Sequence, residues 1–257
     1  MVVLWIGPVQ ASTLELARWP SPAPQIVTIG AGANGGIGSN AFAQLGIDYR
    51  HRARTPLRGA LEAHGVDPDT NDRILVCGFS AAHGLIETIL NTPADRERVS
   101  AVGAFDAYYT GAAGTPKPGY RAFAELAANG ARSMVMTSSN IPGGVGLPTG
   151  ADAAGKLLAG LGLEFIPPRN IGKAVCERAE GRGNLAWYVY ADRDDKPDPT
   201  ANAKATHVQH ATVLAPVFAP EIAGAAPRIE GASSSGAGKV ALAIVVAWIA
   251  FEVARAA

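Results

Sequence analysis

Arg73-Ile74-Leu75-Val76-Cys77-Gly78-Phe79-Ser80-Ala81-Ala82 is the stretch on which the fold turns. Residues 73–77 read as a strand, apolar from Ile74 onward, of the kind that is buried on both faces of a parallel sheet. Gly78-Phe79-Ser80-Ala81-Ala82 then reads as a sharp turn, with small residues two before and two after the serine. Residues 82–90 carry Leu85, Ile86, Ile89 and Leu90 at helical spacing. Strand, tight turn and helix follow one another within about twenty residues, so the serine is expected to stand exposed above the end of a strand. An ordinary strand–helix loop is the competing reading.

The same alternation extends outward. Residues 2–6 and 25–29 read as strands, the first stopped by Gly7-Pro8 and the second opening into a glycine-rich run over 30–38. Helices are expected from Ser39 to about Leu45 and over 56–64. Beyond the turn, 99–105 is a strand ending at Asp106. A helix over 120–129 is closed by Gly130, 133–137 is a strand, and 152–161 a helix. Residues 184–190 form the last clear strand, and a further helix starts after Thr206. This predicts an α/β fold, with helices on both faces of a mainly parallel sheet. Ligands in such folds bind beyond the carboxyl ends of the strands, where Ser80, Asp106 and the 30–38 loop all fall.

The 257 residues suit one large α/β domain, expected over 1–228. Lys plus Arg and Asp plus Glu both number 22, so no general basic surface points to nucleic acid. Cys77 lies in an apolar strand and reads as a buried thiol, one of two cysteines with Cys176. The apolar start lacks a basic leader and a clear cleavage site, so no secretory signal is expected. Residues 229–239 have the composition of a flexible linker, and 240–257 of an apolar helix. Its unbroken apolar run, 240–251, is short for a membrane span of about 20 residues. Burial in the protein or a homo-oligomer, membrane contact, or docking in an assembly are its expected uses.

Acyl chemistry needs a nucleophile, a base and a carboxylate that orients the base. Ser80 is the candidate nucleophile, and the amide of Ala81 at the helix start is a candidate oxyanion donor. His207 and His210 are the candidate bases, since only these two histidines follow the last clear strand; His210, one helical turn on, otherwise reads as a neighbour or a surface residue. Asp106 is the candidate acid. Asp152 reads as a first-turn helix residue, and Asp192, Asp194 and Asp195 as solvated. The order serine, acid, histidine is the one expected on a turn of this kind. His207 and His210 have metal-compatible spacing, but no matching cysteine or carboxylate cluster accompanies them, so no metal or cofactor is expected.

The loop over 30–38 admits three readings, one of them a plain tight turn. Gly30-Ala-Gly32-Ala-Asn-Gly35 fits a dinucleotide fingerprint, and Gly32 to Gly38 is similar to that of short-chain dehydrogenases. Those enzymes use a Tyr-x-x-x-Lys pair, and no tyrosine here has a lysine four residues on. The alternative is a second oxyanion donor from Ala33 or Asn34. Phe79, His83 and Tyr108 are candidate substrate-binding residues.

Residues 25–216 resemble a group of bacterial and phage α/β-hydrolase-like proteins. The resemblance rests on Val76-Cys-Gly-Phe-Ser80-Ala, Phe105-Asp106-Ala-Tyr-Tyr, Met136-Thr-Ser-Ser-Asn-Ile-Pro142 and Thr206-His207-Val-Gln-His. It implies an α/β-hydrolase-like fold and a serine hydrolase with Ser80, Asp106 and His207 as its triad. The substrate would be a small-molecule or cell-envelope ester, or an amide, in the cytoplasm or a phage particle. Ala82-His83 departs from the group's usual glycine and small or polar residue, and Ser138 stands where a histidine is common. The second expectation, from the linker and apolar tail, is a structural or binding component of an assembly that keeps the fold.

Overall fold

Among the described residues, eight strands assemble into one sheet, with aliphatic and β-branched residues concentrated in its inner strands. The computed structural model describes residues 1–7, 14, 17–30, 39–70, 72–111, 113–142, 146–191 and 207–225. The strands are β1 (Val2–Ile6), β2 (Gln25–Ile29), β3 (Ile74–Phe79), β4 (Val99–Phe105), β5 (Ser133–Ser139), β6 (Glu164–Phe165), β7 (Cys176–Arg182) and β8 (Leu185–Tyr190). Their order is β2-β1-β3-β4-β5-β8-β7-β6. The first six in that order pair in parallel; β7 and β6 close one side antiparallel. The expected α/β class with a mainly parallel sheet is therefore observed.

Alternate residues of β3 feed two cores. Ile74 and Val76 join Phe42, Leu57, Leu85, Phe123 and Leu157 on one face. Leu75, Cys77 and Phe79 join Trp5, Phe105, Tyr188, Leu214 and Phe218 on the other. The first face is covered by α1 (Ser39–Ala53), α2 (Pro56–Ala63), α3 (His83–Leu90), α5 (Pro118–Ala128) and α6 (Gly150–Leu158), with the short α4 (Pro93–Arg98) between. The second face is covered by α7 (Ala215–Ala225) and the helical turns that lead into it. Burial on both sides explains why β3 could be apolar throughout.

Two departures from expectation have physical causes. The helix expected to end near Leu45 runs to Ala53. Gly46, which resembles a stop, instead lets α1 approach α3, since a Cβ there would lie 2.7 Å from a Thr88 methyl carbon. The hairpin partner of β8 was not expected at all. β7 reads Cys-Glu-Arg-Ala-Glu-Gly-Arg, and an irregularity between Cys176 and Arg178 breaks its two-residue alternation.

The strand order reverses between β1 and β3, and Ser80 follows β3 at that switch point, where ligands of such sheets bind. The glycine-rich run follows β2 instead, the outermost strand on its side. A dinucleotide fingerprint belongs to the strand at the switch point, so this placement disfavours the nucleotide reading. Residues 31–38, including Ala33 and Asn34, lie outside the described residues, as do Asp192, Asp194, Asp195, the linker and the apolar tail. Among the described residues, no helix is long and apolar enough to cross a membrane.

Candidate active site

The turn after β3 is strained in the way its sequence suggests. Ser80 has φ 57°, in the left-handed region that non-glycine residues rarely occupy. Such a conformation costs about 1–3 kcal/mol and persists only where its surroundings enforce it. Ser80–Ala82 forms a 3-10 turn that runs directly into α3. Gly78 and Ala82 must both be small: a Cβ on Gly78 would lie 2.8 Å from that of Ala82 and 2.5 Å from Ile86 Cδ1. Gly78→Ala is therefore expected to destabilise the fold by about 1–3 kcal/mol, the usual cost of overpacking. The urea midpoint measures this, and an unchanged midpoint would refute it. Ala81 occupies the second position of the helical segment, where amides lack an intrahelical acceptor.

The three residues singled out at the ends of separate elements come together. His207 Nε2 lies 2.8 Å from Ser80 Oγ, and His207 Nδ1 lies 2.7 Å from Asp106 Oδ2. With Nδ1–H donating to the carboxylate, Nε2 is left to accept from the serine hydroxyl. The Phe79 ring packs against that of His207, with centroids 4.5 Å apart. The histidine is thus held by a hydrogen bond on one edge and an aromatic ring on one face.

Asp106 is almost fully buried and also has positive φ, 44°. Its Oδ1 accepts from the Ser139 amide at 3.1 Å, and Oδ2 from the Ser139 hydroxyl at 2.6 Å. Burial alone would raise its pKa. The fields of His210 and His207, with the hydrogen bonds from His207 and Ser139, outweigh burial and hold it down at about 2. A Cβ on Gly150, the first residue of α6, would lie 2.7 Å from Asp106 Oδ1, so this helix can approach the carboxylate only because glycine stands there.

His210 is a buried neighbour of the site, not a surface residue. It opens a π-helical turn, His210–Leu214, a form common at functional sites. Its Nδ1 lies 2.7 Å from Thr137 Oγ1 on β5. Burial pushes its pKa down to about 4, so it is neutral at pH 7. The unfolded chain takes up this proton near its ordinary value of 6.5, while the folded chain resists until about 4. Stability is accordingly expected to fall as pH drops from 6.5 towards 4. Urea titrations across that range should show a declining midpoint, with a shallower decline in His210→Gln. Equal slopes for the two proteins would contradict this assignment.

The substrate-side candidates separate. Tyr108 is buried among α5 residues, its ring 4.9 Å from that of Tyr120 and its hydroxyl accepting from the Lys117 amide. Tyr109, which sequence reading passed over, stands at the site instead, its ring centroid 6.4 Å from that of His207 and 6.1 Å from that of His83. His83 follows the 3-10 turn, with Nδ1 2.5 Å from Lys117 Nζ. Asp152 sits in the first turn of α6 as expected, its amide capped by Thr149. Ser139 was also missed. The signal was three consecutive hydroxyl residues, Thr137-Ser138-Ser139, ending the strand beside the one that leads to Asp106. Among the described residues, no group of three or more His, Cys, Asp or Glu side chains could hold a metal ion. The chain matches no protein-family model and no curated protein.

Proposed function

We propose that this protein is a serine hydrolase of the α/β-hydrolase type that cleaves an ester, or an amide, through an acyl-enzyme. The carrying observation is the continuous relay Ser80 Oγ–His207 Nε2 and His207 Nδ1–Asp106 Oδ2, at 2.8 and 2.7 Å, built on a left-handed serine. Both distances are those of formed hydrogen bonds without substrate present. A serine in a plain loop has no reason to pay backbone strain while aligned with a base that is itself aligned with a buried acid.

Ser80 Oγ attacks the substrate carbonyl as His207 Nε2 accepts its proton. The amide of Ala81 stabilises the oxyanion. Collapse of the tetrahedral intermediate releases the leaving group, which takes the proton from His207. Water then attacks the acyl-serine, His207 taking and returning a proton in the same way. Asp106 stays ionised and keeps the imidazole oriented. The exposed Val208 beside His207, and Tyr109, offer contact area to a small-molecule or cell-envelope acyl substrate.

A fluorophosphonate probe tests the proposal on the full chain, because only an activated serine displaces its fluoride. Labelling is expected at Ser80 and is expected to vanish in Ser80→Ala. Folded wild-type protein that stays unlabelled would instead favour a chain that keeps the fold as a scaffold in an assembly.

A further inference from the structure

We propose that Lys117 and His83 form a recognition point for a carboxylate on the substrate, so that the preferred acyl donors are anionic. This inference rests on the hydrolase reading of Ser80 and names the substrate class for that same site. The observation behind it is a partly buried ammonium that has no carboxylate partner among the described residues, beside the nucleophile turn.

Lys117 immediately precedes α5, and its main-chain amide is fixed by the Tyr108 hydroxyl at 2.9 Å. Its Nζ lies 2.5 Å from His83 Nδ1, and no ion pair involves it among the described residues. The acid whose field reaches it is Glu87. Both oxygens of Glu87 are already engaged, accepting from the amides of Gly119 and Tyr120 at 3.0 Å each. Glu87 therefore caps α5 and contributes only at a distance. A lysine ammonium has three donors, and the imidazole uses one.

Lysine is rarely buried without a partner, because removing the charge from water is costly. Burial accordingly draws Lys117 down to about 8, still mostly charged at pH 7. His83 is held neutral, at about 3, by burial and by the adjacent ammonium. It can accept from Lys117 through Nδ1 while Nε2–H remains a donor. The pair thus presents donors and no acceptor. It borders the site through Tyr109, whose ring centroid lies 6.1 Å from that of His83 and 6.4 Å from that of His207. A carboxylate seated there would supply the missing counter-charge and fix the orientation of the acyl chain over Ser80.

The experiment compares kcat/KM for the mono-4-nitrophenyl ester of glutaric acid with that for neutral 4-nitrophenyl butyrate. Wild-type protein is expected to favour the anionic ester by about tenfold, the worth of one charged hydrogen bond. Lys117→Met should bring the ratio to about one, whereas Lys117→Arg should hold most of it. A wild-type ratio at or below one, or an unchanged ratio in folded Lys117→Met, overturns the proposal. Calorimetry supplies a readout independent of turnover: wild-type protein should bind glutarate and not the neutral glutaramide, and Lys117→Met should lose glutarate. If Lys117→Met does not fold, wild-type binding alone decides, and equal binding of the two ligands, or of neither, overturns the site. Missing fluorophosphonate labelling with glutarate binding retained would remove the hydrolase reading and leave the carboxylate site standing.

Discussion

Ser80→Ala is expected to reduce turnover of activated esters by about a million-fold, the loss seen when a triad nucleophile is removed, while the protein stays folded. The substitution deletes one oxygen atom. Alanine at φ 57° is strained much as serine is, so the elbow neither gains nor loses a backbone preference. His207 loses its 2.8 Å partner on Nε2, but its side chain is 22% exposed, and water can take the vacated position. Asp106 keeps its bonds to His207 and Ser139. The residual rate expected of such a variant is that of water attacking a substrate that is still positioned in the site. Steady-state kinetics with a 4-nitrophenyl ester measure the loss. A fall of less than about tenfold would mean that Ser80 does not carry the chemistry.

Much of this site could be read from sequence because its parts depend on local rules. β3 was legible from a run with no polar residue, and the turn after it from the small residues at 78 and 82, which the backbone needs whatever the rest of the chain does. Asp106 was legible from its place at a strand end, and order narrowed the base to His207 or His210, between which the resemblance selected His207. What sequence did not reveal depends on contacts between distant elements. Ser139 supports Asp106 only because β5 lies beside β4 with the register that pairs Phe105 with Thr137. Nothing local in Tyr108-Tyr109 says which ring enters the core; the turn after Asp106, itself at positive φ, settles it. β7 was hidden because its charged side chains alternate imperfectly across an irregularity and it lies near the sheet edge.

Asp106→Asn should cost about ten-thousand-fold in kcat, although it exchanges a single oxygen for an NH2 group. The carboxylate accepts on both oxygens: Oδ2 from His207 Nδ1 and the Ser139 hydroxyl, Oδ1 from the Ser139 amide. An asparagine has one acceptor for these two sides. If its oxygen takes the Oδ1 position, its NH2 faces His207 Nδ1, which must then accept. The imidazole proton moves to Nε2 and points at Ser80 Oγ, so the base cannot take the serine proton. If the oxygen takes the Oδ2 position, the NH2 meets the Ser139 N–H donor to donor in a buried site, and the negative charge that would stabilise the imidazolium is gone in either case. The pKa of about 2 held by Asp106 means that the native charge persists throughout the neutral range, so the loss should not be recovered between pH 6 and 9. Asp152→Asn, on the partly exposed first turn of α6, should leave kcat as it is. Equal effects of the two substitutions would show that the buried carboxylate beside His207 supports the fold and not the proton transfer.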